Sequence, residues 1–172
     1  HIYEGYLMQS LSHSEMKEFA SEKAVESGKI IKKYFRTGIA VQHKKDSSPV
    51  TIADRETEQC IVSMIRKKFP KHGIIGEEGG SHNPDSPWQW VIDPIDGTKS
   101  FVMGCLDFGT IIGLLYNKKP VLGVMHQPIL EELFVGDNEL TTLNGKKVTI
   151  TDTTDITQAH LFASDFIDLY RI

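Results

Sequence analysis

The chain has 172 residues, with 19 Lys and Arg against 23 Asp and Glu and a formal charge of −4. Apolar residues make up 40% and charged residues 24%, the composition of a globular domain long enough to bury a core of its own. Without a basic block the chain does not suit nucleic acid, whose phosphates are held by clustered Lys and Arg, and its longest apolar run, 108–116, is far too short to span a bilayer.

Residues 1–11 lack the charged-then-apolar layout of a signal peptide and are expected to form an unstructured lead, with the domain proper over 12–172. Ser12 and Glu15 have the spacing of a capping box. Met16, Phe19, Ala20, Ala24, Ile31 and Phe35 then recur at helical spacing until Gly38 stops the run. A polar loop is expected over 43–49. A second amphipathic helix starts near Ala53, places Cys60, Ile61, Met64, Ile65 and Phe69 on one face, and ends at Pro70.

The second half reads as strands. Ile74-Ile75 and Trp90-Val91-Ile92 are short apolar runs, and 108–116 with 121–127 flank a hairpin connection at 117–120. A further strand is expected at 132–136, and Asn144-Gly145 marks a tight turn into 147–150. The stretch 82–87, with two prolines, reads as a surface loop. Two helices followed by antiparallel strands give an α+β fold, the helices packed on an antiparallel sheet. Cys60 and Cys105 stand far apart with no Cys-x-x-Cys, so they read as small core residues of a protein from a reducing, cytoplasmic compartment. The doublets Lys44-Lys45, Lys118-Lys119 and Lys146-Lys147 read as solvated loop faces.

Three acidic patches carry the chemistry. Gly76-Glu77-Glu78-Gly79-Gly80 follows the strand at Ile74-Ile75, and Asp93-Pro94-Ile95-Asp96-Gly97-Thr98 follows the strand at 90–92. The third patch, Thr51-Ile52-Ala53-Asp54, heads the second helix. Pro94 stiffens and Gly97 frees an Asp-x-x-Asp turn that aims two carboxylates at one point. With Glu77 these make three hard oxygen donors, which suit Mg²⁺ rather than zinc. Each patch also has a plain structural reading. Asp-Pro and Asp-Gly are common turn formers, Asp54 sits at a capping-box distance from Thr51, and Glu77 and Glu78 can be solvated loop acids. Their joint placement at strand ends beside glycine turns favours a site. No glycine-rich dinucleotide or P-loop motif is present.

The run Trp90-Val-Ile-Asp-Pro-Ile-Asp-Gly-Thr98, followed by Phe101, resembles the first signature of the inositol monophosphatase family of Mg²⁺-dependent phosphatases. Gly76-Glu77-Glu78 is similar to that family's upstream acidic loop. Lys45, Pro49-Val50-Thr51 and Asp54 resemble the segment that supplies the partner of the catalytic threonine. Within the family, Gly123-Val-Met-His-Gln127-Pro128 and Thr142-Leu-Asn-Gly145 look most like the histidinol-phosphate phosphatase branch.

The resemblance implies a layered α/β/α/β fold and two-metal hydrolysis of a small phosphate monoester. Histidinol phosphate is expected first and myo-inositol monophosphate next, with Mg²⁺ as cofactor and a homodimer as the assembly. It implies that Glu77, Asp93 and the Ile95 carbonyl hold one Mg²⁺, that Asp93 and Asp96 reach toward a second, and that Thr98 with Asp54 acts on the attacking water. Asp96, Gly97 and Thr98 would receive the phosphate. The family's second signature, a Trp-Asp pair, has no counterpart here, because neither Trp88 nor Trp90 precedes an Asp. The expectation is therefore the first part of such a phosphatase with its C-terminal domain absent, and the exposed sheet edge near 166–172. The alternative is a non-catalytic fragment serving as a metal-binding or protein-interaction module.

Overall fold

The computed structural model describes residues 13–45 and 49–160, so the expected Ser12 cap, the lead at 1–11 and the edge near 166–172 lie outside the described residues. Helix α1 (His13–Tyr34) buries the stripe that its spacing predicts, with Met16, Ala20, Ala24 and Ile31 facing inward. The expected loop at 43–49 contains a short antiparallel ribbon, β1 (Gln42–His43) against β2 (Pro49–Val50). Helix α2 (Ile52–Lys68) begins at a complete capping box, with Thr51 as N-cap and Asp54 as its third residue. It ends at Phe69, whose N–H bonds the Ile65 carbonyl just before Pro70.

The remaining elements are β3 (Gly73–Gly76), β4 (Gly80–His82), β5 (Trp88–Asp96), α3 (Thr98–Met103), β6 (Gly109–Tyr116), β7 (Lys119–Gln127), β8 (Glu132–Asp137), β9 (Thr141–Leu143) and β10 (Lys146–Lys147). A single 3₁₀ turn follows at Ile156–Gln158. One sheet joins the strands in the order β10-β9-β8-β7-β6-β5-β3-β4. It is antiparallel except between β3 and β5, which run parallel with Ile74 beside Trp90 and Gly76 beside Ile92. That pair corrects the expectation of a wholly antiparallel sheet. A parallel neighbour needs a long crossover, and here the outer strand β4 with the loop 83–87 carries the chain back to the starting end of β3.

The connection at 117–120 tightens to two residues, Asn117 and Lys118, both at positive φ as a primed hairpin turn requires. Pro120 therefore lies in β7, where the register slips between Leu114 and Leu115 and absorbs its missing N–H. Asn144-Gly145 turns as expected, at φ 48° and 78°, but β10 stops after two residues, short of the expected 147–150.

The larger core lies between the two helices and the sheet and includes Ala20, Ile61, Ile65, Trp90, Ile112 and Leu114. Phe19 and Phe69 meet edge to face beside Trp90, whose indole N–H donates to His72 Nδ1 at 3.0 Å. A smaller cluster, Ile31, Ala53, Ile95, Phe101 and Phe108, ties α1, α2, the end of β5 and α3 together. Burying each Phe there contributes about 1.5–3 kcal/mol, enough to fix the end of β5 against α2. The thiols are unbridged, Cys60 half-buried and Cys105 exposed, so only Cys60 approaches the expected core position. Among the described residues no helix is long and apolar enough to cross a membrane.

Candidate active site

The end of β5 is bent by one extra residue. Asp93 pairs with Ile111 and Asp96 with Gly109, so three steps on β5 face two on β6. Thr110 Oγ1 donates to the Pro94 carbonyl at 2.9 Å and holds the bulge, while Ile95 drops into the smaller core. The chain then reverses at Gly97, at φ 84°, where an added Cβ would lie 2.5 Å from the Asp107 carbonyl oxygen. Only glycine meets both the backbone angle and the close approach. Helix α3 starts immediately after, with Thr98 as its first residue.

Thr98 Oγ1 carries one proton between two acceptors, the Ile95 carbonyl at 3.0 Å and Asp54 Oδ1 at 3.2 Å. The other Asp54 oxygen, Oδ2, accepts from the Thr51 N–H at 2.7 Å and the Thr51 hydroxyl at 2.6 Å. Asp54 is buried, and its carboxylate both caps α2 and bonds the Thr98 hydroxyl.

The turn after β3 brings Glu77 alongside, because its N–H donates to the Ile92 carbonyl at 3.1 Å. Asp93 lies beside the Glu77 carboxyl, and Asp93 Oδ1 is buried without a partner. Burial first, then the neighbouring Glu77 carboxyl and the charge of Asp96, push Asp93 from an ordinary 3.8 up to about 8. Asp96 is exposed and bears on Asp93 through its charge.

The acidic turn is also held by two residues outside the predicted set. Lys44 Nζ donates to Glu77 Oε1 at 2.7 Å and to Glu78 Oε1 at 2.6 Å. Lys44 is thus a partner of the acids rather than a solvated loop face, and Lys45 is the exposed member of the doublet. Burial pulls the Lys44 ammonium down, but its bonds to both carboxylates outweigh that and hold it above the ordinary range. Burial, with the charges of Glu77 and Asp54, lifts the Glu78 carboxyl above its ordinary value although Lys44 draws it down. Glu58, one turn after Asp54 on α2, accepts from the N–H groups of Glu78 and Gly79. Its i+4 spacing from Asp54 is the signal that could have found it. Lys44 has no such signal, since its reach is across space.

The structure therefore brings together Thr98, Asp54 and the Ile95 carbonyl, and separately Glu77 and Asp93. Among the described residues no three His, Cys, Asp or Glu side chains are gathered closely enough to hold a metal ion. The Glu77–Asp93 pair and the orphaned Asp93 oxygen nonetheless fit one hard cation. Two neighbouring carboxylates in a half-buried site require either a shared proton or a positive ion between them. The residues that resemble the histidinol-phosphate branch are occupied with the fold. Gln127 Oε1 accepts from the N–H groups of Ile129 and Leu130, and Asn144 Oδ1 accepts from that of Leu133. His126 is buried, its Nδ1–H donating to the Ala24 carbonyl at 2.9 Å.

The profile of the inositol monophosphatase family matches residues 12–166. The chain is 44% identical over 160 residues to the chloroplastic bifunctional phosphatase IMPL2 of Arabidopsis thaliana, covering 90% of this chain and 46% of that protein. It is 42% identical over 118 residues to a histidinol-phosphatase of Chlorobaculum parvum, covering 68% and 46%. Among solved structures, an IMPase from Thermotoga maritima superposes with a TM-score of 0.76 at 30% identity, over 80% of this chain and 54% of that one. The chain thus spans about half the length of the relatives it matches.

Proposed function

The chain belongs to the inositol monophosphatase family, and on that premise we propose that residues 12–172 form the cation- and phosphate-binding part of a Mg²⁺-dependent phosphatase. Its reaction is hydrolysis of a small phosphate monoester, histidinol phosphate first and myo-inositol monophosphate next, and its assembly is a homodimer. The observation that carries the reading is the buried, partnerless Oδ1 of Asp93, a residue that sits beside Glu77 and near the hydrogen-bonded pair Thr98 and Asp54.

Glu77, Asp93 and the Ile95 carbonyl would hold the first cation, and Asp93 with Asp96 would reach toward a second. Bound Mg²⁺ supplies Lewis-acid polarisation of the phosphoryl group and a more acidic water. Asp54, fixed through Oδ2 by Thr51, keeps Oδ1 on the Thr98 hydroxyl. Thr98 has one proton and two acceptors, so its lone pairs remain available to accept a hydrogen bond from an attacking water and aim it. The first N–H groups of a helix have no acceptor within it, and those of Gly97 and Thr98 would receive the phosphoryl oxygens. The preference for histidinol phosphate is supported by the 42% identity to a protein of that name.

Phosphate release from both substrates, with and without Mg²⁺, tests the reading. Mg²⁺-dependent turnover that disappears in Asp93→Asn is expected of the full-length protein. Turnover that needs no divalent ion, or that survives Asp93→Asn, would overturn it and leave a binding module.

A further inference from the structure

We propose that Glu58 is a positioning residue for the cation site, its buried carboxylate fixing the 77–79 turn and through it the Glu77 side chain. The proposal rests on the reading of Glu77 as a cation ligand. Glu58 is 4% exposed, and a carboxylate so buried needs compensation. It finds it in two consecutive backbone amides, Oε2 accepting from Glu78 N–H at 2.8 Å and Oε1 from Gly79 N–H at 2.6 Å. Hydrogen bonds to an ionised acceptor are roughly twice as strong as neutral ones, and here two of them act on adjacent residues of one tight turn.

The turn is also pressed onto the carboxylate. A Cβ at Gly76 would lie 2.6 Å from Glu58 Oε1, and one at Gly79 would lie 2.8 Å from the same atom. Both residues are glycine at negative φ, so close approach to Glu58 is what sets their identity. The turn has one seat, and Glu58 is its floor.

Helix α2 thereby serves both halves of the site. Asp54 locates Thr98, and Glu58, four residues later on the same face, locates the turn that carries Glu77. Their spacing is the rise of four helical residues, about 6 Å, and it does not depend on any loop. Partners that orient a ligand from outside the coordination shell change metal affinity by about 10–100-fold when removed.

The test is a Mg²⁺ titration by calorimetry of the metal-free chain, with hydrogen exchange at the Glu78 and Gly79 amides measured in the same protein. Glu58→Ala is expected to weaken Mg²⁺ binding about tenfold and to strip protection from those two amides before any metal is added. Glu58→Gln keeps one acceptor and should fall between. Gly79→Ala attacks the same contact from the turn side. It should weaken Mg²⁺ in the parent chain and have little further effect in a Glu58→Ala background, where the obstructing oxygen is gone. Gly79→Ala in the parent chain carries the test should Glu58→Ala prove poorly folded: full Mg²⁺ affinity in it overturns the proposal. So does a Glu58→Ala protein whose amides are unprotected but whose Mg²⁺ affinity is unchanged, since Glu58 then steadies the turn without governing the site. A parent chain that takes up no Mg²⁺ overturns the cation reading together with this one, and that failure is visible before any variant is made.

Discussion

The Thr98 hydroxyl lies 3.2 Å from Asp54 Oδ1, on a carboxylate whose other oxygen closes the N-terminal cap of α2 with Thr51. The two oxygens have separate tasks, one structural and one facing the site. Removing the cap and removing the site contact should therefore have different signatures.

Thr51→Ala takes away the hydroxyl on Oδ2 and should lower stability by about 1 kcal/mol in urea unfolding. It leaves Thr98 in contact with Oδ1, so turnover should change little. Thr98→Ala should do the opposite, with stability close to the parent and phosphate release strongly reduced. Combining Thr98→Ala with Asp54→Ala should reduce turnover little more than either alone, because members of one catalytic unit are not additive. Strictly additive losses would return Asp54 to the role of a cap.

Gly97→Ala should damage fold and site together. The residue sits at φ 84°, and its Cβ would press on the Asp107 carbonyl oxygen at 2.5 Å and on Phe108 Cα at 3.2 Å. Both obstacles are backbone, so relief requires the 105–108 segment to move. The expected destabilisation is about 1–3 kcal/mol, with Phe108 losing part of its packing against Phe35 and Phe101. Gly113→Ala is the control, since its Cβ would make ordinary contact with Val91 at 3.7 Å. Equal midpoints for the two variants would contradict the close-approach argument.

Much of this arrangement was legible in the chain. Helical spacing located α1 and α2, and the Asp-x-x-Asp spacing after an apolar run pointed to Asp93 to Thr98, although Asp93 to Asp96 form a bulge within β5 rather than a turn after it. The parallel β3–β5 pair was not legible. A parallel partner is chosen by how the chain returns, and β4 with 83–87 carries no helix to announce a crossover. Lys44 was missed for a similar reason. A flexible lysine in a polar loop gives no periodic signal, and its partners Glu77 and Glu78 lie on another element. Cys105 misled because cysteine composition favours the core, whereas this one follows α3 on the surface.

Histidinol phosphate brings an ammonium and an imidazole, so it should gain from an acid near the phosphate end of α3. Glu78 is already engaged by Lys44, whereas Asp107 is exposed beside Gly97. Asp107→Asn should lower kcat/KM for histidinol phosphate about threefold more than for myo-inositol monophosphate, the size expected for an exposed charge pair. Competing both substrates in one assay reads the ratio directly, and the difference should shrink as salt is raised. A parent ratio favouring the inositol ester would remove the branch assignment and leave the family untouched.

Asp93 links the site to stability through pH. Its carboxyl stands at about 8 in the folded chain against 3.8 ordinarily, owing first to burial and then to Glu77 and Asp96. Between those values the native protein keeps a proton that the unfolded chain has released. Stability of the metal-free protein should therefore be fully expressed at about pH 4 and should decline as pH rises toward about 8. A cation must displace the same proton. Mg²⁺ affinity should thus rise by up to about tenfold per pH unit below about 8 and level off above it, with proton release detectable in buffers of different ionisation enthalpy. Asp93→Asn removes the buried charge. It should flatten the pH dependence and stabilise the metal-free protein at about pH 8 by roughly 1–2 kcal/mol, a figure discounted for the solvent-facing part of the group. The same variant should lose the stabilisation that Mg²⁺ gives the parent chain. Unfolding midpoints across this range, with and without Mg²⁺, decide the matter. A metal-free parent that grows more stable from about pH 5 to about 8 would show that Asp93 and Glu77 do not share a proton. An Asn variant still stabilised by Mg²⁺ would place the cation elsewhere.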